Sequence, residues 1–379
     1  MTTWEKVRNC LPWFPTYFMQ RLFRRLPRVR PVHLMFAVAD HFEPAIVPGV
    51  PGAYADQEVQ KCRVERWCHE YPKLMDAWRD SDGYPFRHTY FYPAEQYDAE
   101  LIDRLAEHSR AGWGEVEVHL HHGIPTPDTP ERERGVLLTF RDLLVKHGCL
   151  SKLDGEGPPR YAFVHGNWAL ANLVPGRFCG VDNEMQILAE TGCYADFTLP
   201  SAPSFAQVAK INALYECALP LDQRAPYRRG RDLRGGRPPR VFPLIVQGPL
   251  MLGWQRKKGL PFPRIENAEL AVNQPPQMTR LRHWRRAAIT VQGRPDWVFI
   301  KLHCHGMDPR DEAALLGWPM QEFLRQLVRG SQTSGEYHVH FVTAREMVNI
   351  ILAACDGRDG TPGDFRDYRL RLITPSCKA

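Results

Sequence analysis

The sequence predicts an α/β protein: a single distorted (β/α)7–8 barrel with an N-terminal arm and loop insertions. Three observations predict it. Short apolar runs alternate with longer helix-like stretches. Enough of these units follow one another in one chain to close a barrel. No GxGxxG follows the first run, as it would in an open dinucleotide-binding sheet. Residues 1–30 read as a basic, aromatic arm and 31–355 as the barrel. Residues 225–275 read as an insertion or loop region, and 356–379 as a C-terminal tail.

The expected strands are Val32–Asp40, His88–Tyr92, Glu115–His121, Tyr161–His165, Tyr194–Leu199, Val241–Gln247, Trp297–His303 and Tyr337–Val342. Pro243 weakens the first half of the sixth, because proline lacks the N–H a ladder needs. Between them the helical period predicts helices over Asp56–Trp78, Ala94–Ala111, Glu131–His147, Asp182–Glu190, Met278–Ala288, Trp318–Arg329 and Ala344–Ala354. Ala225–Arg240, rich in Pro, Arg and Gly, reads as loop because its like charges oppose packing.

Composition narrows the function. The net charge of +6 is the small difference between 49 basic and 43 acidic residues, so it argues against a nucleic-acid binder. The ten cysteines include no CxxC pair, which excludes zinc-finger and thioredoxin-like readings. With no secretory signal, reduced thiols in a cytoplasmic protein are expected. No apolar run is long enough to span a bilayer. The arm segment LPWFPTYFMQRLFRRLPRVR mixes aromatics with arginines. It either packs its aromatics on the domain or makes a weak, peripheral membrane-surface contact, and its prolines favour packing.

Polar residues gather where the expected strands end, and in a parallel barrel those ends share one face. EVEVHLHHG is the sharpest signal. Alternation puts Glu115, Glu117, His119 and His121 on one side and Val116, Val118 and Leu120 on the other. Neutral imidazoles are frequent ligands of divalent metals. Asp40 ends the first strand, followed by His41 and Glu43, and supplies a carboxylate as ligand or general base. The expected metal set is Asp40, His41, His119 and His122, with Asp40, Glu43 and His303 as catalytic groups. His303 or His305 would be the general acid, and Cys304 faces the other way as a core residue. Substrate contacts are expected from His121, His165, Asn167, Trp168, Asp196 and His305, and from the loop residues Arg264, Glu266 and Asn267.

Together these pieces resemble the polysaccharide deacetylases of carbohydrate esterase family 4 and their glycoside hydrolase/deacetylase barrel superfamily, over roughly Val32 to Ile350. That family has an acidic pair after strand one. Here the place reads Ala39-Asp40-His41, with one Asp. Its two ligand histidines stand four apart; His119 looks like the first, and the second is His122, one residue short, or His121. FVHGNWAL replaces the family's arginine-proline motif, and Leu302-His303 is similar to its late leucine-histidine motif. The resemblance implies a divalent metal, zinc with cobalt or manganese as alternatives, and a carbohydrate substrate losing an N- or O-acyl group to metal-activated water. The competing expectations are a glycoside hydrolase using paired carboxylates, drawn from Asp40 or Glu43 with Glu117 or Asp196, and a non-catalytic carbohydrate-binding or assembly protein on the same barrel.

Overall fold

The computed structural model describes residues 2–24, 30–50, 52–257 and 260–374. In chain order the strands are β1 (Val32–His41), β2 (His88–Pro93), β3 (Gly114–Leu120), β4 (Ser151–Leu153), β5 (Glu156–His165), β6 (Cys193–Asp196), β7 (Leu214–Cys217) and β8 (Gly230–Asp232). They continue with β9 (Leu244–Val246), β10 (Met251–Lys257), β11 (Leu260–Glu266), β12 (Glu269–Leu270), β13 (Trp297–Cys304), β14 (Tyr337–Phe341) and β15 (Leu370–Leu372). The helices are α1 (Thr3–Cys10), α2 (Phe14–Phe23), α3 (Gln57–Met75), α4 (Ala99–His108), α5 (Pro130–Lys146), α6 (Glu184–Thr191), α7 (Met278–Ala287), α8 (Glu312–Leu315), α9 (Trp318–Thr333) and α10 (Ala344–Cys355).

The main sheet runs β12-β13-β1-β2-β3-β5-β6-β9-β7-β8, parallel from β12 to β9 and antiparallel at β7 and β8. One edge of β1 is shared: its first half pairs with β14 and its last four residues with β2. The register levels the strand ends. Ala39 lies opposite His303, His41 opposite Phe91, Pro93 opposite His119, and Leu120 opposite His165. Residues from five strands therefore share one rim.

Among the described residues the ladder is a curled half-barrel, not the closed (β/α)7–8 ring the sequence suggests. Two expected strands come out short. Val241–Gln247 shrinks to Leu244–Val246, directly after Pro243, and Tyr194–Leu199 shrinks to Cys193–Asp196, where the ladder with β5 also slips register. The antiparallel β7–β8 pair then occupies the edge.

Strand alternation sorts two cores. Leu34, Phe36 and Val38 of β1 face outward into the outer core, where Phe36 meets Trp284 of α7 and Phe323 of α9. Met35, Ala37 and Ala39 face inward with Val164, Phe197 and Phe299. The concave side is filled by α10, whose twelve residues are all buried. It is held at the start of β2 and β3 by Ala344 N donating to Thr89 and by Arg345 donating to both carboxylate oxygens of Glu115. Since α10 occupies one end of the curl, the strand C-termini form the open end.

The expected arm folds into α1 and α2. Thr2 and Glu5 form a capping box, and Pro15 sits at the start of α2, where its missing N–H is harmless. Trp13 and Tyr17 are buried in the inner core, while Trp4, Phe18, Leu22 and Phe23 stay exposed. The expected tail is also tied down as far as residue 374: Arg366 pairs with Asp80, Asp82 and Glu346, and β15 pairs with β4. No described helix is long and apolar enough to cross a membrane.

Candidate metal site at the rim

The inward phase of β1 ends at His41, one residue after Asp40, and the inward phase of β3 carries Glu115, Glu117 and His119. Glu43, just past β1, turns back over them. His41, Glu43 and His119 each place one ligand atom within 4.8 Å of the others. Glu43 Oε1 is 3.4 Å from His119 Nε2 and 4.0 Å from His41 Nδ1. Ligand atoms bound to one cation at about 2.0–2.2 Å lie roughly 3–4 Å apart, so the spacing fits a divalent ion.

The hydrogen bonding sharpens this. His119 Nδ1 is 2.8 Å from Val164 O, and a carbonyl oxygen can only accept, so Nδ1 carries the proton. The other ring nitrogen, Nε2, faces Glu43 at 3.4 Å. That nitrogen is fully buried and has no hydrogen-bond partner. Where such a nitrogen faces a carboxylate, a cation or a proton must lie between them. A backbone carbonyl fixing the far nitrogen is also the usual way a protein orients a metal-binding imidazole.

Electrostatics keeps His41 and Glu43 in ligand form. Burial, then the nearby His305, His119, His303 and Lys301, holds His41 well below its ordinary value, so it is neutral. Burial pushes Glu43 up, but His119, His121 and His305 outweigh it and bring the carboxyl down to about 2. His121 lies alongside, its ring 4.6 Å from that of His119, with Nδ1 donating to Glu95 at 2.7 Å. Burial opposes its charged form, yet the hydrogen bond to Glu95 and the charges of Glu43 and Glu95 raise it. Its side chain keeps 29% exposure, so it reaches the mouth. His305 sits 4.8 Å from His41 by ring centroids, and His303 6.3 Å.

The four expected ligands do not converge. Asp40 points outward, beneath α3, where it accepts from His88 Nδ1 at 2.9 Å and from Gly306 N at 2.6 Å. His122 also points outward, into a separate group with His165, Cys179 and Glu184. Both sit one residue out of phase with the inward face. His303 is placed in the cluster, but burial, Lys301, His305 and Arg280 hold it well below its ordinary value. That disfavours the imidazolium a proton donor needs, and His121 is better suited to the role.

The expected substrate contacts scatter. His165 belongs to the outward group, and its Nδ1 accepts from Asn167 N at 3.1 Å. Asn167 and Trp168 follow in a half-buried turn, with Trp168 at φ 57°. Asp196 is fully buried and bonded to Thr198; burial lifts it to about 7 against those bonds and Lys301. Arg264 donates to Gln274, Glu266 is taken up by Arg280 and Trp284, and Asn267 bonds Ala202 O. These three brace β12 and α7; Ala268 O then accepts from His303 N at 3.1 Å. Cys304 faces outward in the core.

Sequence reasoning missed Glu95, Glu184, Cys179 and Lys301. Lys301 lies inward on β13, where its ammonium donates to Phe197 O at 2.6 Å; burial brings it down to about 7, with Asp196 opposing. Its phase, two residues before His303, was visible in KLHCH. Glu95 follows Pro93 at the end of β2, a strand end like the others. No family model matches the chain, and no curated protein matches it.

Proposed function

We propose that the protein is a metal-dependent hydrolase that removes acyl groups from carbohydrates. The observation that carries the metal is the buried, unpartnered Nε2 of His119 facing Glu43 beside a neutral His41. Support for the carbohydrate and for acyl transfer comes from the resemblance of the strand-end motifs to polysaccharide deacetylases.

His41, Glu43 and His119 would hold the ion as its three protein ligands. When bound, a divalent cation supplies Lewis-acid polarisation of the acyl oxygen and a water nucleophile near neutral pH. His121 spends Nδ1–H on Glu95 and turns Nε2 toward Glu43, 3.8 Å away, so the Nε2 proton is the one it delivers to the leaving amine or alkoxide. Asp40 is a positioning residue: by accepting from Gly306 N it fixes the turn that presents His305. Lys301 and His303 line the floor and exclude water from below.

The test is elemental analysis of the purified chain followed by acetate release from N- and O-acetylated sugars. Chelation is expected to abolish turnover, and zinc, cobalt or manganese to restore it. Turnover that survives exhaustive chelation would overturn the proposal and favour paired-carboxylate glycoside hydrolysis.

A further inference from the structure

We propose that the outward-facing group His122, His165, Cys179 and Glu184 is a second, closed cation site, of the structural zinc type, independent of the rim site. The four residues come from the end of β3, the end of β5, the following loop and the first turn of α6. All are buried, and their ligand atoms lie within 4.8 Å of one another. Glu184 Oε1 is 3.1 Å from His122 Nε2 and 3.8 Å from His165 Nε2, and Glu184 Oε2 is 3.5 Å from Cys179 Sγ. Ligands on one tetrahedral zinc, with bonds of about 2.0–2.3 Å, lie roughly 3.3–3.8 Å apart, so Glu184 stands near coordinating spacing from the other three. The mixed N, S and O donor set suits zinc, and full burial with four protein ligands is the closed, structural arrangement.

Two details point the same way. His165 Nε2 is fully buried, lacks any hydrogen-bond partner and aims at Glu184. Cys179 Sγ is buried with its lone pairs met by N–H from Asn172 at 3.3 Å and Val181 at 3.4 Å, while burial and Glu184 push the metal-free thiol up, so a cation must displace its proton. Glu133, also fully buried beside Glu184, is pushed well above its ordinary value by burial and by Glu184, so Glu184 is the carboxylate this group offers. Around the group, Asp128 takes the proton on His122 Nδ1 at 3.1 Å and is itself held by Arg132 at 2.7 Å, a carboxylate–histidine–metal relay in waiting. Rearrangements are required: the proton between His122 Nε2 and Glu184 and the proton of the Cys179 thiol both give way to the ion. Binding through His165 Nε2 moves the ring proton to Nδ1, so the Asn167 N–H contact there must open.

Cobalt(II) is the probe, because the rim group contains no sulfur. The full chain, stripped of metal and titrated with cobalt, is expected to show a sulfur-to-cobalt charge-transfer band in the near ultraviolet. The band should persist in Glu43→Gln, which disables the rim site, and in Cys304→Ser, which removes the thiol beside Asp40 and His88. It should vanish in Cys179→Ser, and added zinc should displace it from the wild-type chain. No sulfur band in the wild-type chain overturns the proposal, as does a band retained in Cys179→Ser. Should Cys179→Ser fail to fold, His122→Gln takes its place, and loss of the band there supports the site while its retention overturns it.

Discussion

Glu43→Gln isolates the rim site with minimal change of shape. An ion that binds only the folded chain stabilises it by RT ln(1 + [L]/Kd), about 2.7 kcal/mol at a hundred times Kd. Unfolding entropy near the midpoint is about 2.1 cal/mol/K per residue, so 379 residues give about 0.8 kcal/mol/K. The wild-type rim site should therefore raise Tm by roughly 3 °C at that ion concentration. Replacing the only carboxylate of the group with an amide removes its charge. If that weakens binding about a hundredfold, the stabilisation falls to RT ln 2, about 0.4 kcal/mol, and the shift to under about 1 °C. The assay is calorimetry or thermal unfolding with and without zinc, both proteins at equal ion concentration. Zinc bound elsewhere shifts both proteins alike, so the difference between them is the measure. Equal shifts in wild type and Glu43→Gln would refute the ligand role of Glu43.

Two further predictions test the surroundings. Glu95→Gln removes the charge and hydrogen bond that raise His121. A donor must be protonated, so activity falls as pH rises through its value; lowering that value should move the alkaline limb of the kcat profile to lower pH, and an unmoved limb removes His121 from proton transfer. Arg345→Met leaves Glu115 buried without its two hydrogen bonds of 3.0 and 2.7 Å. Breaking a buried pair costs about 3–5 kcal/mol, which for a chain of 379 residues is a Tm loss of roughly 4–6 °C; a loss below about 1 °C would show that α10 does not depend on this anchor.

The parallel sheet was legible because its strands are apolar runs bounded by polar ends, and most were located within a residue or two. Closure was not legible, since it depends on how far the short strands around Pro243 propagate. The β3 histidines were legible through their period of two. The same period, applied to β1, separates Asp40 from His41, and applied past β3 it separates His122 from His119. Position at a strand end drew attention to Asp40, yet parity decides which side of the sheet it serves. Cys179 and Glu184 carry no such signal. A loop cysteine and an acid in a helix's first turn meet two histidines only through tertiary folding.

Asp40 accepts from Gly306 N and His88 while standing behind the reacting face, and a methyl group on Gly306 would collide with that carboxylate. The two longest-paired strands of the sheet are thus latched to each other at their tips by a single acid. An alanine scan that reads lost turnover as participation in chemistry would rank this latch beside the proposed ligands, although its carboxylate points to the other side of the sheet. Only a readout of ion affinity at the rim, set against turnover, tells the hinge pin from the blade.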